Sequence, residues 1–466
     1  MAEMGKACLD ARKIWRRACG YLLLPMMISA QACAQTPSRP DQSPPLQPGD
    51  IATGNPPAAA FPAAVGHGNQ SRGGQGGRII AVTTLADSGP GSYRACVEAS
   101  GPRVCVFRVD GVIRFSNRPP VIRNPFLTIA GLTAPGNGIT LSHSGGPNGR
   151  TPLVIKNTHD VIVRHIRIRL DQPGADRVAE DAITIENSSN VIIDHVSASG
   201  ARDELVNGHG DNDAITVSHS VFSYGVPGHD KCALLASDPS GPVRLSFTGN
   251  ICAHNGDRNP DANFPPGSCV EVINNVLYNA QSEFAEIWES EGGTPITLVG
   301  NSFIAGPDTH KASVGIENDR TASTGRARLY ASDNHFDGSF VPVSPNAKDI
   351  LVASPPCKLT IAPLAASAAF DRILDKAGAF PRDPIDAQVV AEIRGRSGRI
   401  GYLPRNLAAS TGAKAYPDAD GDGMDDRWER NNDADPAVAD PWESTAAPGH
   451  TNLEAFLAWR EQELMQ

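Results

Sequence analysis

A short strand-like run that returns at irregular but similar intervals constrains this chain more than any other feature. The segments VIVRHIRI (161–168), NVIIDHVSAS (190–199), AITVSHSVFS (214–223), RLSFTGNICAH (244–254), CVEVINNVLYN (269–279), PITLVGNSFIAG (295–306) and ARLYASDNHFDG (327–338) share one pattern. Apolar residues alternate, a turn residue follows, and a shorter apolar run closes the unit. Lining up the turn residue gives His195, His219, Gly249, Asn274, Gly300 and Asp333, at steps of 24, 30, 25, 26 and 33 residues. Units of this size cannot bury an apolar face alone, so they must stack on their neighbours. A β-sandwich would space its strands closer to every ten residues. The expected fold is all-β, a parallel β-helix. Asn250, Asn275, Asn301 and Asn334 sit beside the turn residue, where stacked amides can hydrogen-bond along the axis.

Composition supports this reading. With 45 Gly and 38 Pro in 466 residues, long helices cannot dominate, and coiled coil, collagen and a polytopic membrane protein are excluded. A formal net charge of -10 argues against a general nucleic-acid binder.

Met1–Ala34 reads as a signal peptide: five Lys or Arg residues precede the short apolar run from Tyr21 to Ile28, and Ala32-Cys33-Ala34 follows. Lipoprotein processing at Cys33 is the second reading, since Ala30 stands where Leu is expected. Residues 35–57 form a Pro-rich linker. The β-helix is expected over 58–405, with helical spacing at 363–396, and a separate acidic tail over 406–466. Six cysteines remain after the leader: Cys96, Cys105, Cys232, Cys252, Cys269 and Cys357. In an exported chain they read as disulfides or as buried thiols. Proximity favours Cys96–Cys105 and Cys252–Cys269.

Several stretches then resemble a known family. AFPAAVGHG (60–68), the Gly-rich run through VDGVI (72–113) and LTIAGLTAPGNGI (127–139) look like the N-terminal signature of secreted pectate lyases of polysaccharide lyase family 1. AFDRILDKAGAFPRDPIDAQVVAEIRGRSGRI (369–400) is similar to the C-terminal end of bacterial members. The resemblance implies a right-handed parallel β-helix that cleaves polygalacturonan by calcium-assisted β-elimination. DAITIENSSNVIIDHVSAS (181–199) resembles the stretch carrying calcium ligands, HDKCALL (229–235) the one holding a substrate-binding lysine, and DRNP (257–260) the one holding the catalytic arginine. On that basis Asp181, Asp203 and Asn207 are the expected calcium ligands, Lys231 the substrate cation and Arg258 the catalytic residue. Two positions depart from the family: Asn207 replaces an acid, and Asp261 stands where related enzymes carry a second arginine. Glu204 could supply the missing charge, but neighbours on a strand face opposite sides.

The residue types suit the chemistry. Removing the C5 proton of a uronate requires the charge growing on the adjacent carboxylate to be neutralised, and Ca²⁺ prefers six to eight oxygen ligands. Arg258 is read either as the base or as an electrostatic stabiliser, because a free guanidinium does not lose its proton near neutrality. His195 reads as a turn residue. Gly208-His209-Gly210 resembles a polygalacturonase motif, but the acid pairs of those hydrolases are absent.

The tail carries a second calcium motif. DADGDGMDDRWE (418–429) fits D-x-D-x-D-G-x5-E, with Asp418, Asp420, Asp422, the Met424 carbonyl, Asp426 and Glu429 as expected ligands. TNLEAFLAW (451–459) reads as the closing helix of an EF-hand-like module. The whole reads as a secreted monomer that takes acidic polysaccharide as substrate, without nucleic acid or a membrane span. The alternatives are a β-helix that only binds polysaccharide, or a lyase or hydrolase of different uronan or pectin specificity.

Overall fold

Alternation along each run leaves one apolar face per strand, and stacking those faces in register produces three parallel sheets. In the computed structural model of the chain, they hold ten, nine and nine strands, and neighbours within a sheet are one coil apart in sequence. The structure describes residues 59–145, 150–171, 180–401, 407, 409–444 and 449–466. These belong to one compact unit, Pro56–Gln466. The expected leader with Cys33, the linker at 35–57 and the boundary at 402–406 lie outside the described residues. No helix among the described residues is long and apolar enough to cross a membrane.

The interior is built from columns. Val163, Ile193, Val217, Phe247, Val272 and Leu298 stand opposite one another on successive strands of the ten-stranded first sheet, and all are buried. Each coil thus completes its neighbour's core, and burying such a side chain is worth about 1.5–3 kcal/mol.

The aligned turn residues all occupy the left-handed region: His195, His219, Gly249, Asn274, Gly300 and Asp333 have φ of 51°, 47°, 67°, 53°, 67° and 51°. This bend turns the chain from the first sheet into the second. His165, one coil earlier, joins them at 53°. The expected asparagine ladder forms beside them. Backbone N–H groups of Asn250, Asn275 and Asn301 donate to Oδ1 of Asn275, Asn301 and Asn334 at 2.9, 2.9 and 3.0 Å.

Helices Ala366–Lys376 and Pro384–Gly395 cover the second sheet, packing Ile373, Leu374, Val389 and Ile393 against Tyr224, Ile251, Val276 and Tyr278. The first sheet is covered twice. Phe61 sits on Ile162 and Ile192, and tail residues Met424, Trp428, Leu453, Phe456 and Leu457 cluster with Val104, Val106, Ala130 and Leu132.

All six cysteines form disulfides: Cys96–Cys105, Cys232–Cys252 and Cys269–Cys357. The expected Cys252–Cys269 pair is corrected. Cys252 points into the interior, whereas Cys269 lies on the outward face of its strand, two residues from Glu271, so a wall of the helix separates them. Cys252 instead meets Cys232 across the core.

Candidate active site

The nine-stranded third sheet collects the residues singled out above. Strand Ile183–Glu186 pairs with Glu204–His209, that strand with Lys231–Leu234, and the stack continues through Asp261–Ala262, Glu283–Glu289 and Val314–Arg320. Ala182 N–H donates to the Glu204 carbonyl, Glu204 stands opposite Lys231, and Lys231 bridges to Asp257. Residues some 20–30 apart in sequence therefore form one row at the edge of the sheet.

Carboxylate oxygens of Asp181, Asp203 and Glu204 all lie within 4.8 Å of one another. This corrects the alternation argument against Glu204. Asp203 belongs to the bend before the strand, whose first residue is Glu204, so the two side chains need not diverge. Asn207 takes a different part from the one expected. Its Nδ2 donates to Asp181 Oδ2 at 2.9 Å, and its Oδ1 is buried without a partner. Thr184 Oγ1 donates to the same Asp181 oxygen at 2.6 Å, and His229 Nδ1 lies 2.5 Å from Asp203 Oδ1. Burial pushes Asp181 up to about 6. Burial, with Asp203 alongside, pushes Glu204 up to about 8. Asp181 and Glu204, buried beside a third acid, resist ionising unless positive charge joins them.

Arg258 supplies part of that charge. Its Nη1 lies 2.5 Å from Glu204 Oε1 and its Nε 3.7 Å from Asp261 Oδ2. Burial alone would lower the guanidinium's pKa, but Asp261 and Glu204 outweigh it and raise it. Arg258 has a φ of 52°, and its carbonyl accepts from Ala233 N–H, which fixes the backbone beneath the side chain. Lys231 Nζ pairs with Asp257. Asp261 faces Glu286, and Glu286 faces Glu317, on the next two strands. Burial, with Asp257 and Glu283 adding repulsion, pushes Asp261 up to about 7, and burial plus Asp261 pushes Glu286 up to about 8. Glu204, Asp257 and Glu286 are the residues sequence reasoning missed or set aside. Their signal was register, since each lies one coil from a residue already chosen.

His195 stays structural. Its ring stacks between His165 and His219 at 4.9 and 5.0 Å, with Asp194 and Glu461 as partners. His209 is exposed, beside Ser237.

In the tail, carboxylate oxygens of Asp418, Asp420 and Asp422 converge within 4.8 Å, as do those of Asp422, Glu429 and Asp440. Asp426 contributes none of these oxygens; its Oδ1 accepts from Ala419 N–H at 2.8 Å. Gly423 has a φ of 90°, and a Cβ there would lie 3.1 Å from Val106 Cγ1, so a side chain is disfavoured on both counts.

The chain is similar to several known proteins. The family model described as pectate lyase matches residues 132–380. Probable pectate lyase C of Aspergillus flavus is 32% identical over 410 residues, covering 85% of this chain and 93% of the relative. Its namesake in Emericella nidulans is 31% identical over 418 residues, covering 85% and 91%. Among solved structures, the major allergen from cedar pollen aligns with 68% of this chain and 92% of its own, at 20% identity and a TM-score of 0.49.

Proposed function

The chain belongs to the pectate lyase family, and from that premise we propose that the third sheet binds polygalacturonate and cleaves it by calcium-assisted β-elimination, releasing unsaturated oligogalacturonides. The observation carrying this reading is the set of three carboxylates, Asp181, Asp203 and Glu204, directly beside Arg258.

A divalent hard cation suits the residues present. Every donor is oxygen, three acids crowd within 4.8 Å, and the Asn207 carbonyl oxygen is buried with no partner of its own. Asp181, Asp203 and Glu204 would hold Ca²⁺, with Asn207 Oδ1 completing the set after a turn of its amide. When bound, the ion neutralises the substrate carboxylate and so acidifies the neighbouring C5 proton.

The chain's own residues do the rest. Lys231, next to Asp257, offers an ammonium to a second uronate carboxylate. Arg258 stays protonated between Glu204 and Asp261, so its role is to hold positive charge against the enolate that develops as the C5–H bond breaks. The C5 proton passes to hydroxide from solvent, the electron pair released there forms the C4–C5 double bond, the C4–O bond breaks, and the leaving sugar oxygen takes a proton from water. The same pairs that keep Arg258 charged weigh against its acting as the base. Three disulfides fit an oxidising compartment and hence an exported enzyme.

The test is the ultraviolet absorbance of the unsaturated uronate on polygalacturonate, with calcium and with chelator. A rise that needs calcium supports the reading. Reducing ends without that absorbance would make the protein a hydrolase, and binding without cleavage would make it a polysaccharide-binding β-helix.

A further inference from the structure

The calcium-like loop of the tail closes in a way its motif does not foretell. Glu429 is fully buried, and neither of its carboxylate oxygens has a hydrogen-bond partner. Asp420 Oδ2 is likewise buried without one. A buried carboxylate with both oxygens unpaired is costly unless a cation sits against it. The oxygens that share this space come from Asp422 and from Asp440, eleven residues beyond Glu429 and outside the twelve-residue motif. Asp440 N–H also donates to Asp422 Oδ2 at 3.3 Å.

Asp440 connects this space to the closing helix. Asn452 Nδ2 donates to Asp440 Oδ1 at 3.1 Å and to its carbonyl at 3.2 Å, and Leu453 N–H donates to the Pro441 carbonyl. Asn452 is the first residue of helix Asn452–Leu464, whose Thr451 and Glu454 form a capping box. Leu453, Phe456 and Leu457 of that helix belong to the cluster on the first sheet. One turn further, Glu461 Oε1 lies 2.6 Å from Arg164 Nη2 and 3.2 Å from His165 Nε2. At its other end the loop touches the β-helix through Arg108, whose Nη1 lies 3.5 Å from Asp418 Oδ2 and whose ring-side contact is Tyr416 at 4.5 Å.

We propose that Asp418, Asp420, Asp422, the Met424 carbonyl, Glu429 and Asp440 hold one calcium ion, and that this ion clamps helix Asn452–Leu464 to the first sheet. In this site Asp440 takes the place the motif gives to Asp426. The ion is separate from the one proposed at Asp181, and the tail is a strap across the first coils.

Isothermal titration of the full chain with calcium chloride tests the ligand set. An Asp181→Asn background weakens the cleft site, so the remaining heat belongs to the tail. Asp440→Asn and Glu429→Gln should each weaken that binding by about tenfold or more, because each removes a ligand charge. Asp426→Asn should change it by less than about threefold, having no ligand charge to lose. Asp440→Glu, which keeps the carboxylate, should stay closer to wild type than Asp440→Asn. Equal losses for Asp426→Asn and Asp440→Asn, or wild-type binding by Asp440→Asn, would overturn the assignment. Should Asp440→Asn fail to fold, wild type alone decides the clamp. Calcium should slow tryptic cleavage after Lys414, Arg427, Arg430 and Arg460 relative to chelator, and equal cleavage rates would contradict it.

Discussion

Replacing Arg258 with alanine removes the guanidinium that, among the described residues, touches both the carboxylate cluster and the acidic row beyond it. The magnitude follows from its contacts. Arg258 lies 2.5 Å from Glu204 and 3.7 Å from Asp261, as a charged donor facing the place where enolate charge grows. Loss of one such donor costs about 10²–10³ in kcat, or about 2.7–4 kcal/mol. The fold should survive. Burial already pushes Glu204 and Asp261 up to about 8 and 7, so without Arg258 each can hold a proton in place of an unpaired buried charge. Arg258→Lys should fall between, since it keeps the charge but not the fork that reaches two acids at once. The assay is initial rate of unsaturated product at saturating calcium, across pH, on protein whose circular dichroism matches wild type. If Arg258 acts electrostatically, Arg258→Lys lowers kcat without moving the rising limb of the pH profile. A limb shifted toward lower pH in that variant would show that residue 258 is the base. An Arg258→Ala enzyme keeping more than about a tenth of the wild-type rate would refute the assignment, since the expected loss is at least ten times larger.

Further outcomes follow from the same geometry. Glu204→Gln should raise the calcium concentration for half-maximal activity, and Asn207→Asp should lower it, because affinity follows ligand charge. Unchanged calcium dependence in both would remove the cluster from the metal site. Breaking Cys269–Cys357 with paired serines opens a loop of 88 residues, worth about 4–5 kcal/mol in the chain-entropy treatment. A thermal midpoint equal to wild type would show that the bridge constrains little. The two buried histidines contribute stability that acid removes between about pH 6.5 and 4, opposite in sign to the contribution of the raised carboxylates. Burial lowers His165 and His254 to about 4, so below the unfolded value near 6.5 the unfolded chain takes up protons that the fold refuses. That stability is fully present above pH 6.5 and is lost as pH falls toward 4. Urea midpoints of wild type and His254→Gln that change in parallel across this range would contradict it.

Much of the solenoid was legible because its signals are local and repeated. Each turn residue from His195 to Asp333 needs left-handed backbone, and each asparagine beside it finds the next one a coil away. What escaped was nearness between segments far apart in sequence. Strand alternation misjudged Glu204 because Asp203 stands in a bend, and proximity in sequence misjudged Cys252 because it ignores which side of a wall a residue faces. Asp440 and Glu461 left no mark in any motif. Their partners are brought together by the docking of the tail on Val104, Val106 and Leu132. Lys231 and Arg258, by contrast, were identified by family resemblance. The structure sets them one coil apart along the same sheet edge, each beside an acid that the resemblance had not named.

Breaking glycosidic bonds by elimination, the activity proposed for this sheet, leaves a signature that hydrolysis does not. Digesting polygalacturonate with the full-length protein and calcium in heavy-oxygen water, then weighing the products, tests it most directly. Elimination adds no water across the broken bond, so every new non-reducing end should be unsaturated and free of label from cleavage. New ends that are saturated, with one heavy oxygen gained per bond cut, would mean hydrolysis and would contradict the account.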